Sequence, residues 1–174
     1  MGAWHQGHVS LIKKSQKKCK KTLVSIFVNP AQFNNKKDYK KYPKNIQKDL
    51  KLLKNHKVDY VLIPNIKDVY GNKSKKKFKI SKSNKILCAK YRPGHFEGVL
   101  SVINQFIKKI KINKIFLGEK DYQQYILIRE FLKKNSNVKT TLCKTIRMKN
   151  GLAYSSRNGL LSRSSVKKSA LLIS

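Results

Sequence analysis

Apolar positions along this 174-residue chain fall into two alternating patterns. Residues 22–28, Thr-Leu-Val-Ser-Ile-Phe-Val, are nearly continuously apolar and rich in β-branched side chains, the signature of a strand buried in a parallel sheet. Residues 60–63, stopped by Pro64, and residues 115–117 and 138–142 repeat it. Between these runs the spacing becomes helical. Residues 7–20 open as an amphipathic helix and end in lysines, and Ile46, Leu50 and Leu53 mark one face of another. Val99, Val102, Ile103, Phe106, Ile107 and Ile110 form the cleanest helical stripe and predict core positions. Tyr125, Leu127, Ile128 and Leu132 predict a further helix, and Lys77-Phe78-Lys79-Ile80 alternates like a short strand or hairpin arm. Strands alternating with helices predict an α/β protein with a parallel sheet.

Composition narrows this picture. The length suits one sizeable core, or one domain with a small appendage. No apolar run reaches the roughly 18 residues of a membrane span, and Met1 is followed at once by motif residues rather than by a signal peptide. Cys19, Cys88 and Cys143 match neither a zinc pattern nor a disulfide framework, so a reducing, cytoplasmic setting is expected. Lys+Arg 41 against Asp+Glu 8 gives +33, which invites a nucleic-acid reading. The lysines are spread through every segment, however, and Lys, Asn and Ile are jointly abundant, as under a mutational bias. The charge predicts non-specific attraction to polyanions and no more. Acids and histidines are rare and more telling: Glu97, Glu119 and Asp121, and His5, His8 and His95, lie in or beside motifs.

The chain opens Met1-Gly2-Ala3-Trp4-His5-Gln6-Gly7-His8. Two histidines three apart share one helical face, at a helix start whose N–H groups and dipole favour an anion. Gly2 and Gly7 lack a Cβ, so a nucleotide phosphate can approach the backbone; a metal-binding or merely solvated pair is the competing account. Asn29-Pro30-Ala31-Gln32-Phe33 is a Pro-broken loop at a strand's carboxyl end, where open α/β sheets bind ligands, or an Asn-Pro turn that caps itself. Arg92-Pro93-Gly94-His95 is a rigid turn entering the helix of the long stripe; Arg92 and His95 either bind an anion or cap that helix. Gly118-Glu119-Lys120-Asp121-Tyr122-Gln123-Gln124 joins a strand to a helix in phosphate-site fashion: Lys120 can pair a phosphate, Asp121 can hold magnesium or ribose, and Gln124 faces the same crevice. Asp121 as a simple N-cap is the alternative. In Tyr154-Ser155-Ser156-Arg157-Asn158, two hydroxyls, a guanidinium and an amide can cradle a polyphosphate, or form an ordinary polar loop. The basic run at residues 73–77 reads as a solvated loop.

Taken jointly and in order, these five motifs closely resemble the pantoate–β-alanine ligase family, over essentially the whole chain from Met1 to about Ser162. The resemblance implies a Rossmann-like nucleotidyltransferase domain of the His-x-Gly-His kind, spanning residues 1–160, with residues 161–174 starting a smaller C-terminal domain, and typically a homodimer. It implies ATP-dependent condensation of pantoate with β-alanine through a pantoyl-adenylate, releasing pyrophosphate and AMP. It places Met1, Gly2, Ala3, Trp4, His5, Gln6, Gly7 and His8 at ATP, with His8 as proton donor. It also assigns Gly118, Glu119, Lys120, Asp121, Ile146, Tyr154, Ser155, Ser156 and Arg157 to ATP. Gln32 falls at both pantoate and β-alanine, and Gln124 at pantoate; Asn29, Arg92 and His95 are pocket residues. Magnesium is the expected metal, with Asp121 a possible ligand.

Two departures are visible: Trp4 replaces a smaller apolar residue, and Tyr154 a Leu or Met. Relatives have a strand ahead of the first motif and a larger C-terminal domain, so a sheet lacking its central strand, with unpaired neighbours, is expected. Three rival readings follow: an inactive remnant of the enzyme, a basic nucleic-acid-binding protein whose affinity would fall steeply with salt, or an adenylate-forming relative with another acid substrate, against which Gln32 and Gln124 speak only through the resemblance.

Overall fold

A computed structural model describes residues 3–33, 35–70 and 78–171. Met1, Gly2 and the basic run at 73–77 lie outside the described residues. In chain order the elements are α1 (Gln6–Lys18), β1 (Leu23–Ser25), a 3-10 turn (Pro30–Gln32), α2 (Lys36–Lys41), α3 (Ile46–Asn55), β2 (Tyr60–Leu62) and α4 (Ile66–Tyr70). Then come a 3-10 turn (Lys82–Asn84), α5 (Cys88–Tyr91), α6 (His95–Lys109), β3 (Lys114–Gly118), a 3-10 turn (Glu119–Asp121), α7 (Tyr122–Asn135), β4 (Lys139–Cys143) and α8 (Arg163–Leu171). A 3-10 segment, Ser156–Leu160, precedes α8.

All named strands pair in parallel. Val24 lies opposite Val61 in the β1–β2 pair, and Phe116 opposite Thr141 in the β3–β4 pair. Each pair is closed by a helical crossover, so the α/β expectation holds. The strands nevertheless form two separate two-stranded sheets. Among the described residues no strand joins β1 to β3, the break expected of a sheet without its central strand. β1 is shorter than the apolar run 22–28, and Leu23 is 38% exposed, although Ile26 N–H still donates to the Leu62 carbonyl.

Each half has its own core. Ile12, Val24, Ile26 and Leu53 pack together beside β1, with Trp4 against them. Phe96, Val99 and Leu100 of α6 meet Leu127, Ile128 and Leu132 of α7, with Ile115 and Leu117 of β3 packed alongside. Helix α1 joins the halves: Ile12 belongs to the first core, while the helix packs against β3 and β4.

Two expectations are corrected. Residues 78–80 form no strand; Phe78 instead sets its ring edge-on to Phe131 at 5.4 Å, and Ile80 is buried in the α6–α7 core. Lys77, the first residue of that alternation, lies outside the described residues. The inward face of α3 is also rotated from the Ile46–Leu50–Leu53 stripe. Ile46 is 49% and Leu50 37% exposed, whereas Asp49 and Leu53 are buried. Asp49 turns inward because it accepts a backbone N–H from the chain's first motif, as described next.

Candidate nucleotide and substrate site

His5 is the N-cap residue of α1, in extended conformation, and its side chain makes no capping bond. Its carbonyl accepts the first helical N–H groups, from His8 at 2.8 Å and Val9 at 3.2 Å. One turn apart, the two imidazoles stack with centroids 3.9 Å apart and planes inclined by 29°. Trp4 lies edge-on to His8 at 4.9 Å, and Tyr154 stacks on His5 at 6.0 Å. Gly7 makes this stack possible, because a Cβ there would sit 3.0 Å from the His5 ring. The space that the sequence suggested for a ligand at Gly7 is thus filled by His5 itself.

The backbone before the helix is held from two sides. Trp4 N–H donates to Asp49 Oδ1 at 3.4 Å, and Ser156 Oγ donates to the Ala3 carbonyl at 3.0 Å, across 153 residues of sequence. Ala3 itself has φ +52°, the left-handed region that a residue with a Cβ seldom occupies. The last motif is therefore bonded directly onto the first.

Burial and charge set the state of the histidines. Burial, with a smaller contribution from the Lys120 ammonium, lowers His5 to about 4. Burial, then His5 and Lys120, lowers His8 to about 3. Both are neutral at pH 7, and Lys120 stands within electrostatic reach of both. The Nδ1 atoms of His5 and His8 and Nε1 of Trp4 are buried with no hydrogen-bond partner among the described residues.

The second motif divides between scaffold and crevice. Asn29 is 1% exposed and its polar atoms are engaged: Nδ2 donates to the Gly98 carbonyl at 3.2 Å, and Oδ1 accepts from Ala31 N–H at 3.1 Å and Tyr70 O–H at 2.7 Å. The self-capping turn accounts for Asn29. The Gln32 carbonyl accepts from His95 Nδ1 at 2.8 Å and from Arg92 Nη2 at 3.4 Å. Among the described residues the side-chain amides of Gln32 and Gln124 make no hydrogen bond. It is Gln123, not Gln124, that ties down the chain, donating to the Asn84 and Ile86 carbonyls and accepting from Ala89 N–H.

In the fourth motif Gly118 ends β3 with open space where its Cβ would be. Glu119 accepts from Thr145 N–H at 3.3 Å, tying the β3 end to the segment before Ile146. Asp121 occupies the N-cap position of α7 but makes no capping bond, so capping does not account for its carboxylate. Ile146 accepts Tyr154 N–H at 3.1 Å and thereby sets the Tyr154 ring over His5. Ser155 accepts from Arg157 N–H, and the Arg157 guanidinium pairs with Asp38 at 2.9 Å while lying over the Tyr42 ring. Arg92 and His95 feel Arg157 and Asp121, which brings the third, fourth and fifth motifs together. Gln6 is exposed on the first turn of α1.

Asp38, Tyr42, Asp49, Tyr70 and Gly98 were not singled out from sequence. Asp49 had a signal, a rare acid inside an apolar helix stripe; the others had none. A cavity of about 650 Å³ opens beside Asp49, lined by Ile26, Phe27, Ile63 and Lys67 among others, and none of the candidate site residues borders it. Among the described residues no three His, Cys, Asp or Glu side chains gather to hold a metal, and no helix is long and apolar enough to cross a membrane.

Parallel strands with helical crossovers, and a His-x-Gly-His pair at the start of a helix, define an α/β fold of the nucleotidyltransferase kind. The same fold is found in the crystal structure of a pantoate-beta-alanine ligase from Francisella tularensis complexed with beta-gamma ATP and beta-alanine. There the TM-score is 0.95 at 40% identity, over 99% of this chain and 67% of that one. Pantothenate synthetase from Thermus thermophilus gives 0.95 at 31% identity, over 99% and 63%. The chain belongs to the pantoate–β-alanine ligase family, described as Pantoate-beta-alanine ligase, whose sequence model matches residues 1–174. Pantothenate synthetase of Leptospira interrogans is 47% identical over 174 residues, and that of Francisella tularensis subsp. novicida 46% over 161. The chain spans 61% of the length of each of these two relatives.

Proposed function

We propose that this chain carries the ATP and pantoate site of a pantoate–β-alanine ligase, with residues 161–174 opening a C-terminal domain. The pantoate carboxylate attacks the α-phosphorus of ATP, pyrophosphate leaves, and pantoyl-adenylate forms. The β-alanine amine then attacks the acyl carbon; the C–N bond forms, AMP leaves, and the amine gives up its proton. No covalent enzyme intermediate is needed, so catalysis rests on alignment and on stabilising charge at the α-phosphate. The observation that carries the reading is Ser156 bonded to Ala3 beside a histidine pair that feels Lys120: three separate motifs converge on one point.

Lys120 supplies the fixed positive charge beside the phosphates. His5 and His8 enter neutral, as N–H donors. His8 acts as a proton donor only once the polyphosphate charge has raised its affinity for a proton. Gln32 and Gln124 offer unengaged amides to pantoate, and Gln32 also to β-alanine. Arg157 exchanges Asp38 for a phosphate when the last motif closes over the nucleotide. One carboxylate plus water and phosphate oxygens suits magnesium, and Asp121, not used as a cap, fits that role. Magnesium, when bound, neutralises phosphate charge. A homodimer is expected on family grounds.

The test is AMP release by the purified chain from ATP, magnesium and pantoate, with and without β-alanine. β-Alanine-dependent AMP supports the reading. No AMP from a chain folded by circular dichroism, even with pantoate and ATP saturating, rejects it for this polypeptide.

A further inference from the structure

The Arg92–Gly98 segment that leads into α6 touches the Asn29–Gln32 turn at four points. Asn29 Nδ2 donates to the Gly98 carbonyl, His95 Nδ1 and Arg92 Nη2 both reach the Gln32 carbonyl, and Gly98 lies against the Ala31 carbonyl so closely that a Cβ would come within 2.7 Å of it. A carbonyl only accepts, so His95 must carry its hydrogen on Nδ1. His95 is 7% exposed and its ring lies against Phe96 at 4.9 Å, which leaves it little freedom to turn away.

We propose that His95, assisted by Arg92, is a positioning residue: it fixes the Gln32 carbonyl and so aims the Gln32 side chain at the substrates. The histidine of the third motif then serves the second motif rather than touching the ligand itself. This rests on the reading of Gln32 as a substrate contact. The geometry favours it over direct anion binding because the donating nitrogen of His95 is already engaged. Arg92 can serve both, with one Nη on the carbonyl; His95 Nδ1 cannot.

The test compares wild type, His95→Asn, His95→Leu, Gln32→Ala and the Gln32→Ala/His95→Leu pair, with pantoate binding followed by calorimetry at saturating ATP. The Asn amide nitrogen occupies nearly the place of His Nδ1, so His95→Asn should bind like wild type. His95→Leu should weaken pantoate on the order of tenfold, the scale of one lost hydrogen bond. The double variant should be no weaker than Gln32→Ala alone, because both changes remove one effect. Additive losses, or His95→Asn as weak as His95→Leu, would overturn the proposal. If wild type binds no pantoate, the functional reading fails and amide hydrogen exchange decides the positioning claim. His95→Leu must then speed exchange at Gln32 and Phe33 while sparing mid-α6 amides, and His95→Asn must not; unchanged exchange in His95→Leu refutes the claim.

Discussion

The two ends of the site treat buried polar atoms in opposite ways. Around Asn29 each one is matched: Gly98, Ala31 and Tyr70 engage its amide, and His95 and Arg92 engage the Gln32 carbonyl. Around the histidine pair, Nδ1 of His5, Nδ1 of His8 and Nε1 of Trp4 are buried without partners among the described residues. Matched groups hold a loop in one place. Unmatched ones cost folding free energy, and a fold retains them where a ligand is to be met. The first region is scaffold and the second is where chemistry is expected.

That contrast breaks most easily at Asn29. Asn29→Ala removes three hydrogen bonds at a buried position and should lower unfolding free energy by about 3 kcal/mol in a urea titration. A loss below about 1 kcal/mol would mean that the matched region is not scaffold. Gly98→Ala follows. Its Cβ meets backbone rather than a flexible side chain, so about 2 kcal/mol of destabilisation is expected. Gly118→Ala, with open space around the same atom, should leave the midpoint unchanged; equal effects at the two glycines would refute the distinction.

The histidines give the next effect, read against pH. Their folded values lie below the unfolded value of 6.5, so the unfolded chain binds more protons as acid is added. Stability should therefore fall as pH drops from about 6.5 towards 4, and further towards 3. Asp49, raised by burial, acts in the opposite sense and only at the acid end. His8→Leu should flatten the slope in Tm between about pH 6.5 and 4 with little loss at pH 7, since a neutral, unmatched ring is replaced by an apolar one. An unchanged slope would place His8 outside the buried pair. The smallest effect is at Arg157. Both partners of the Asp38 pair are exposed, so Arg157→Ala should cost less than about 1 kcal/mol of stability. ATP affinity should fall much more, and a stability loss that tracked the affinity loss would argue against the exchange of Asp38 for phosphate.

Much of this was legible in the order of residues. The strand runs announced β1 to β4 to within a few residues, and the α6 stripe announced that helix, although only Val99 and Val102 of the stripe are buried; Ile103, Phe106, Ile107 and Ile110 are half-buried, and Leu100, Ser101 and Asn104 are buried beside them. The His5–His8 pair shares a face because their spacing of three fits a helical turn. What stayed hidden depended on contacts between distant segments. Asp49 faces inward because Ala3 and Trp4 bring backbone N–H groups to it, and no helical stripe records that. Gln123 and Gln124 are the same residue type, one position apart; only the path of residues 84–89 decides that Gln123 is the anchor. Gly7 looked like room for a ligand, and the His5 ring folding back fills it.

The bond from Ser156 to Ala3 also sets a schedule. During synthesis Ala3 leaves the ribosome about 150 residues ahead of its partner, and at roughly 5–20 residues per second that is a delay of about 8 to 30 seconds. Through that interval the first motif exists without its clasp, its left-handed Ala3 unsupported and its histidines lacking Tyr154. Nascent chain can thus assemble the β1–β2 half early but completes the candidate site only near the end, so premature termination anywhere before Ser156 yields a product that has the signature histidines and the Trp4–Asp49 bond but not the clasp on Ala3.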